Sequence, residues 1–263
     1  MEEYVFICAC VLAGLLGVCV GSFLNVVIYR LPREMSLSRP GSHCTKCNYS
    51  LKWYDNIPVL SWIILGGRCR KCREPISVRY TVVELMNMAL WLLSVLMFWK
   101  SSPVYAFTSA IVCSALICIF FIDLENMLIF NRFIILVALG GVVAIFFDGY
   151  TKPLDHVIGA LAGGGILMLL YFGAIALLKR EAMGFADVKL VAAAGLLLGW
   201  QRLILAMLIG SLVGSVVMLT LNRVNDKEKD AEYPFGPFIC GGVLVALFAG
   251  EVILNWYVGL ILG

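Results

Sequence analysis

The chain has 263 residues, of which 62% are hydrophobic and only 14% charged, with a mean hydropathy of +0.95 and a formal net charge of +3. So apolar a composition excludes a soluble domain with a polar surface and indicates a polytopic helical membrane protein. The net charge says little, but where the charges fall says a good deal.

Hydrophobic runs near residues 4–28, 82–99, 104–122, 130–148, 157–178, 203–221 and 236–262 are each to be set against the roughly 20 residues that a bilayer core requires. An eighth run, Val188 to Trp200, has 13 residues and reads as a short tilted span or as a re-entrant segment packed inside the bundle. The first run is read as a retained span, because Met1, Glu2 and Glu3 supply no positive region and no cleavage site is evident.

Ten of the 20 Lys and Arg lie between Arg30 and Arg79. If that segment is cytoplasmic and the spans alternate, the inner loops also collect Arg132, Lys179, Arg180, Lys189, Arg223, Lys227 and Lys229, giving 17 inside against Lys100, Lys152 and Arg202 outside. The positive-inside rule then predicts a cytoplasmic large loop and both termini outside. Two aspartates, Asp123 after the third span and Asp187 before the short sixth one, emerge together on the cytoplasmic side.

The one sizeable polar segment, residues 30–80, carries Cys44-Thr-Lys-Cys47 and Cys69-Arg-Lys-Cys72, two C-x-x-C pairs with 21 residues between them. Thiolates at that spacing form two knuckles that can close on one tetrahedral ion, and a cytoplasmic setting disfavours disulfides. Zinc in a structural role is expected, since four thiolates leave no position for a catalytic water and a module of this size needs a staple. The other six cysteines, Cys8, Cys10, Cys19, Cys113, Cys118 and Cys240, read as buried small hydrophobes. Basic knuckles can also suggest nucleic-acid binding, but a basic face beside anionic lipid accounts for the charge, and no nucleic acid is expected.

Asp123 stands in Phe120-Phe-Ile-Asp-Leu-Glu-Asn126 and Asp187 in Met183-Gly-Phe-Ala-Asp-Val-Lys189. Either alone could be a helix cap or a solvated interfacial acid. Together they suit aspartyl hydrolysis, in which one carboxyl stays protonated and the other takes a proton from the attacking water. Lys189 suggests substrate holding or a snorkelling lysine, and Glu84, Glu125 and Glu181 are acidic positions that could complement a basic substrate. Asp148 and Asp155 are weaker candidates because the topology places them outside.

These residues resemble the type IV prepilin peptidase family of membrane aspartyl peptidases. The resemblance runs in order through Gly21-Ser-Phe-Leu-Asn-Val-Val-Ile-Tyr-Arg-Leu-Pro32, the two C-x-x-C pairs, Pro75-Ile-Ser with Tyr80 and Val83-Glu84-Leu85, Ile122-Asp123, Asp187-Val-Lys-Leu190 and Pro234-Phe-Gly-Pro-Phe238. It implies Asp123 and Asp187 as the catalytic pair, with Glu84, Gly184 and Lys189 supporting. Substrates would be type IV prepilin or pseudopilin precursors, cleaved after a Gly at the cytoplasmic face of the bacterial inner membrane, where the lipid bilayer is itself a partner. Many similar enzymes also N-methylate the new terminus with S-adenosylmethionine, although no glycine-rich cofactor loop stands in the sequence.

The expected architecture is an all-α polytopic membrane protein of about eight transmembrane helices with a small zinc-stabilised cytoplasmic module between helices 1 and 2. Residues 1–29 would form the first transmembrane helix, 30–80 the tetracysteine domain and 81–263 the transmembrane aspartyl peptidase domain. Two positions depart from the family pattern. The GxGD motif reads Gly184-Phe185-Ala186-Asp187, where Ala186 is costly at positive φ and harmless in a helix. The usual Pro-Asp after the first aspartate reads Phe130-Asn131, which alters a helix start rather than the chemistry. The rival reading is a non-catalytic membrane scaffold or carrier whose zinc module binds a partner.

Overall fold

A computed structural model describes residues 2–149, 151–179, 184–225 and 233–262. Arg180, Glu181, Lys227 and Lys229, which entered the charge count or the acidic candidates, lie outside the described residues. The helices in chain order are α1 (Glu2–Arg30), α2 (Leu60–Ile64), α3 (Arg79–Phe98), α4 (Pro103–Asn126), α5 (Asn131–Phe147), α6 (Pro153–Leu178), α7 (Phe185–Leu198), α8 (Trp200–Asn225) and α9 (Gly236–Leu262). Among the described residues there is no β-strand, only two isolated bridges in the cysteine segment.

All eight predicted hydrophobic runs are helical. Six helices, α1, α3, α4, α6, α8 and α9, are long and apolar enough to cross a membrane. The remaining two, α5 with 17 residues and α7 with 14, reach about 26 and 21 Å at about 1.5 Å per residue, short of a bilayer core of about 30 Å. The expected count of eight spans is therefore not reproduced by length alone. On α6, Leu161, Leu169 and Leu177 are 71, 76 and 85% exposed, a surface that only lipid makes acceptable.

Contacts divide the chain into two compact units, Met1–Leu96 and Met97–Gly263. In unit 1, α1 and α3 touch through small residues: a Cβ on Gly21 would lie 2.8 Å from Glu84 Cα, and one on Gly17 2.9 Å from Met88 Cα. Close backbones let amides cross-link them, as lipid-embedded helices require. Asn87 Nδ2 donates to Gly17 O at 2.7 Å and Asn25 Nδ2 to Tyr80 O at 3.0 Å. Because α1 buries a single stripe, Cys8 and Cys19 are exposed rather than buried, whereas Cys113, Cys118 and Cys240 are buried as expected.

In unit 2, helices α4 to α9 alternate in direction, so their termini gather at two ends. One end collects the last turn of α4 and the first turns of α5, α7 and α9. The opposite end collects the start of α4, the end of α5, the starts of α6 and α8 and the end of α7. Thus α7 runs from one end to the other, and the chain reverses at Gly199, whose φ of 77° suits glycine. Its partner α6 meets it backbone to backbone, since a Cβ on Gly195 would stand 2.4 Å from Gly159 C.

At the second end lies a network that the sequence does not announce. Asp148 is 1% exposed, and its carboxylate binds the Arg202 guanidinium and accepts Thr151 Oγ1 at 2.7 Å. His156, fully buried, meets Thr151 Oγ1 at 2.5 Å and Leu196 O at 2.9 Å, and Arg202 Nε donates to Leu198 O at 2.8 Å. Asp155, the other acid placed outside, accepts Trp200 Nε1 at 3.1 Å. Arg202, counted from sequence as a loop cation, is 2% exposed and neutralises Asp148 instead.

Candidate active site and cysteine cluster

Asp123 occupies the last turn of α4 and is 6% exposed. The helix ends at Met127, in the left-handed region, whose N–H closes on Asp123 O at 2.9 Å. The Asp123 carboxylate leaves its own helix and meets α9: Gly236 N donates to Oδ2 at 3.0 Å. A helix N-terminus offers free N–H groups and a partial positive charge, so α9 holds this carboxylate where the end of α4 would disfavour it. Gly236 is required here by space. A Cβ would lie 2.5 Å from Asp123 Oδ2, and Pro237, without an N–H, fits the first turn that follows.

Asp187 is the third residue of α7, after the N-cap Gly184, and is 8% exposed. Its carboxylate leans back toward the Gly184 amide, the direction of a capping box, and a Cβ on Gly184 would lie 3.2 Å from Oδ2. With φ −69° and ψ 136°, the Gly184 conformation is open to any residue, and a side chain there would press on the Asp187 carboxylate. Ala186 sits in the first turn of the helix at ordinary φ, so the alanine in place of the family glycine fits.

The two aspartates lie at the same end of unit 2, near enough for the Asp123 charge to act on Asp187, with the buried Cys240 thiol within the field of both. Among the described residues neither carboxylate has a cationic partner. Two buried acids with no counter-ion among the described residues resist ionising together, so the arrangement can hold one proton between them and activate a water. Sequence reasoning missed Gly236 and Cys240, although the Gly-Pro pair at the head of an apolar helix was the available signal.

Other candidates fall elsewhere. Lys189 donates to Asn131 Oδ1 at 3.2 Å and lies 4.9 Å from the Phe185 ring centroid, tying α7 to the start of α5. Phe130 caps that helix and Asn131 opens it, in keeping with a changed helix start. Glu125 is exposed beyond Asp123. Glu84 belongs to unit 1, 7% exposed, where its Oε2 accepts Val59 N at 2.7 Å. Val59 stands at φ 62° and ψ −53°, with Leu60 N bonded to Pro58 O at 2.6 Å, a γ-turn that is rare and strained for a β-branched residue. Glu84 thus pins a strained corner of the polar segment to α3.

The cysteines form two copies of one loop, displaced by 25 residues. Asn48 N bonds Cys44 O at 2.9 Å and Arg73 N bonds Cys69 O at 3.0 Å; Cys44 N bonds Tyr49 O and Cys69 N bonds Glu74 O, each at 2.9 Å. Both loops turn through a left-handed residue, Asn48 at φ 55° and Arg73 at φ 60°, of which only asparagine adopts it readily. The four Sγ atoms lie within 4.8 Å of one another, with Cys44–Cys72 at 3.8 Å and Cys47–Cys69 at 4.0 Å. Disulfides, at about 2.05 Å, are absent, whereas Zn–S bonds of about 2.3 Å place tetrahedral sulfurs about 3.8 Å apart. The cluster is compatible with structural zinc.

Backbone amides of Cys72 and Lys71 lower the Cys69 thiol to about 6. Although the Glu74 amide favours the Cys72 thiolate, burial and hydrogen bonds with the neighbouring sulfurs push that thiol up to about 12, because a cation-free cluster cannot hold four negative charges. Beside the loops, Asp55 accepts Arg70 Nε at 2.6 Å and Tyr49 Oη at 3.2 Å. Burial would raise its carboxyl, but these partners and the Lys52 amide hold it below the usual carboxylate range.

Fold and site together define a multi-pass membrane protein with a four-thiol module and an acidic pair at one end of a helix bundle. Residues 15–98 match the Bacterial Peptidase A24 N-terminal domain, and residues 110–219 match the Type IV leader peptidase family. Relatives named prepilin leader peptidase/N-methyltransferase include one from Aeromonas salmonicida (strain A449), 35% identical over 95% of this chain and 94% of the relative, and one from Legionella pneumophila, 32% identical over 94% and 93%. A third, from Myxococcus xanthus (strain DK1622), is 39% identical over 82% of this chain and 65% of the relative. No solved structure matches. The chain belongs to the type IV leader peptidase family and is a peptidase, which sets aside the scaffold reading.

Proposed function

We propose that this chain is an aspartyl endopeptidase of the bacterial inner membrane that cleaves the leader of type IV prepilin-like precursors after a Gly at the cytoplasmic face, both termini lying outside. The observation that carries the reading is the convergence of Asp123 and Asp187, both buried and with no cationic partner among the described residues, at one end of unit 2. In this mechanism Asp123, held by the Gly236 amide, is the ionised member and takes a proton from the attacking water. Asp187 carries the shared proton and donates a hydrogen bond to the scissile carbonyl oxygen. The tetrahedral intermediate forms without a covalent enzyme adduct and collapses as the leaving amine is protonated.

Lateral entry suits such a substrate, since a pilin precursor is itself a hydrophobic helix whose charged leader stays in the cytoplasm. Glu84 and Lys189 support the packing of the units in which they lie, Gly184 supports the Asp187 carboxylate, and zinc on Cys44, Cys47, Cys69 and Cys72 holds the module closed. A second activity, N-methylation of the new terminus with S-adenosylmethionine, is proposed from the relatives' names.

Cleavage of a prepilin-like precursor in detergent or proteoliposomes tests the peptidase reading. Asp123→Asn and Asp187→Asn each lose about 10⁴-fold in kcat/KM while expression and unfolding temperature hold, as for groups that act as a unit. Cleavage at the wild-type rate by either variant overturns it.

A further inference from the structure

Between Asp55 and Arg68 the chain carries twelve residues without a charge, Asn56-Ile-Pro-Val-Leu-Ser-Trp-Ile-Ile-Leu-Gly-Gly67. An apolar run of that length is too short to cross a bilayer, which leaves a buried core helix or a segment lying in the membrane interface. Exposure excludes the first. Within α2, Leu60, Ile63 and Ile64 share one face at i, i+3 and i+4 and are 56, 60 and 77% exposed. Trp62 points the other way, where its Nε1 donates to Ile76 O at 3.2 Å. An aliphatic face turned outward from a small polar module is a cost in water and none in lipid.

The height of that face is set by α3 and α1. Glu84 Oε2 accepts Val59 N at 2.7 Å, directly before α2 begins. Glu84 stands five residues into α3 from Arg79, about 7.5 Å along the axis at about 1.5 Å per residue, and a Cβ on Gly21 would lie 2.8 Å from its Cα. Gly21 is in turn nine residues, about 13.5 Å, short of Arg30, the last residue of α1. Asn56 and Pro58 also line a cleft with Cys19, Ser22 and Phe23 of α1, and Cys19 and Phe23 are exposed on the outside of that apolar helix. Arg30 and Arg79, the basic residues that end the two helices, belong at the headgroup level, and the segment runs down from them along surface that faces lipid. Backbone at that depth must find its partners within the protein. The amides of Ser61, Ile63, Leu65 and Gly67 donate to the carbonyls of Ile57, Val59, Ser61 and Trp62 at 2.8–3.1 Å, and Glu84 takes the Val59 amide.

We propose that residues 56–67 form a re-entrant anchor, in which α2 lies in the bilayer leaflet on the side of the cysteine module with Leu60, Ile63 and Ile64 against the acyl chains of its phospholipids. Continuity with the exposed side of α1 names lipid as the occupant of this face. Glu84 is the group that draws the anchor down, which gives the strained Val59 corner its reason. Arg68, exposed just beyond the anchor, reaches the headgroup phosphates, as basic side chains at a membrane boundary do. The polar segment is therefore no free domain on a tether: its middle is held in the membrane while the two cysteine loops stay outside.

The test uses the wild-type full chain, so no variant has to fold. It is reconstituted in vesicles of phosphatidylethanolamine and phosphatidylglycerol containing a phosphatidylcholine with a diazirine in the upper part of one acyl chain. After irradiation, trypsin separates the anchor, within Trp53–Arg68, from the cysteine-loop peptide Cys47–Lys52, and fragmentation places each adduct. Acyl adducts are expected on Leu60–Leu65, as on the exposed leucines of α6, and none on Cys47–Lys52. Adducts on α6 with none on Leu60–Leu65 overturn the proposal, whether water or a second copy of the chain covers that face. Equal labelling of Leu60–Leu65 and Cys47–Lys52 overturns it as well, since the whole module would then graze the bilayer with no anchor in it.

Discussion

At one end of unit 2, Asp148 is buried to 1% exposure with Arg202, Thr151 and His156 around it; at the other, Asp123 and Asp187 are buried to 6% and 8% with the Gly236 and Gly184 amides, a thiol and each other. Both ends take carboxylates out of water, which costs several kcal/mol per ion unless the charge is matched. Among the described residues, the first end matches it and the second does not. A bundle that can build a complete ionic cage at one end has no chemical obstacle to building one at the other. The bare acids are therefore read as a site, and the caged acid as a pin joining the ends of α5 and α7 to the starts of α6 and α8.

Breaking the pin is expected to have the largest effect. Asp148→Ala leaves Arg202 buried and unpaired and lowers stability by about 3–5 kcal/mol, whereas Asp148→Ala combined with Arg202→Met recovers most of it. Thermal unfolding in detergent reads both, and leader cleavage per folded molecule holds in the double variant. Equal destabilisation by the two would mean that the network does not act as an ion pair.

At the other end, Gly236→Ala pushes a methyl group into the space of Asp123 Oδ2 and displaces the carboxylate from the α9 amide. We expect kcat to fall about 100-fold with KM changed little, the order seen when one electrostatic contact at a reacting centre is lost. Stability falls by less than in Asp148→Ala, because the unit-2 packing elsewhere is untouched. A variant cleaving at the wild-type rate would detach Gly236 from the chemistry.

The smallest effect concerns a paired acid outside the membrane segments. Asp55 has its folded value depressed below the unfolded one, near 3.9, so its contribution is complete above that value and is lost as pH falls through and below it. Asp55→Asn should then destabilise the cysteine module by about 1–3 kcal/mol at neutral pH and make no difference in strong acid. Zinc retention against pH measures this: wild type and variant curves separate at neutral pH and converge on acidification, and parallel curves would contradict it.

Much of the frame was legible in the sequence. The apolar runs predicted α1 and α3 to α9, because a lipid-facing helix must be apolar over its whole length and few other patterns look like that. The C-x-x-C pairs predicted the four-sulfur cluster, since both ligands of each pair are held by one short loop. The acids Asp123 and Asp187 stood out by their cost. What stayed hidden depends on which helix faces which. Gly236 lies 113 residues from Asp123, and only the packing of α4 on α9 brings its amide to the carboxylate. Arg202 likewise read as a loop cation until α5, α6, α7 and α8 close around Asp148, where His156 joins it. The exposure of Cys8 and Cys19 followed from α1 burying a single stripe, which composition does not record.

The central claim, that one proton is shared by two buried carboxylates and sits on Asp187, is tested most directly by infrared difference spectroscopy of the carboxylic-acid C=O region at neutral pH. Subtracting Asp187→Asn from wild type should leave one protonated carboxyl band, sensitive to deuterium exchange. No band in that difference, with both aspartates ionised in the wild type, would contradict the account.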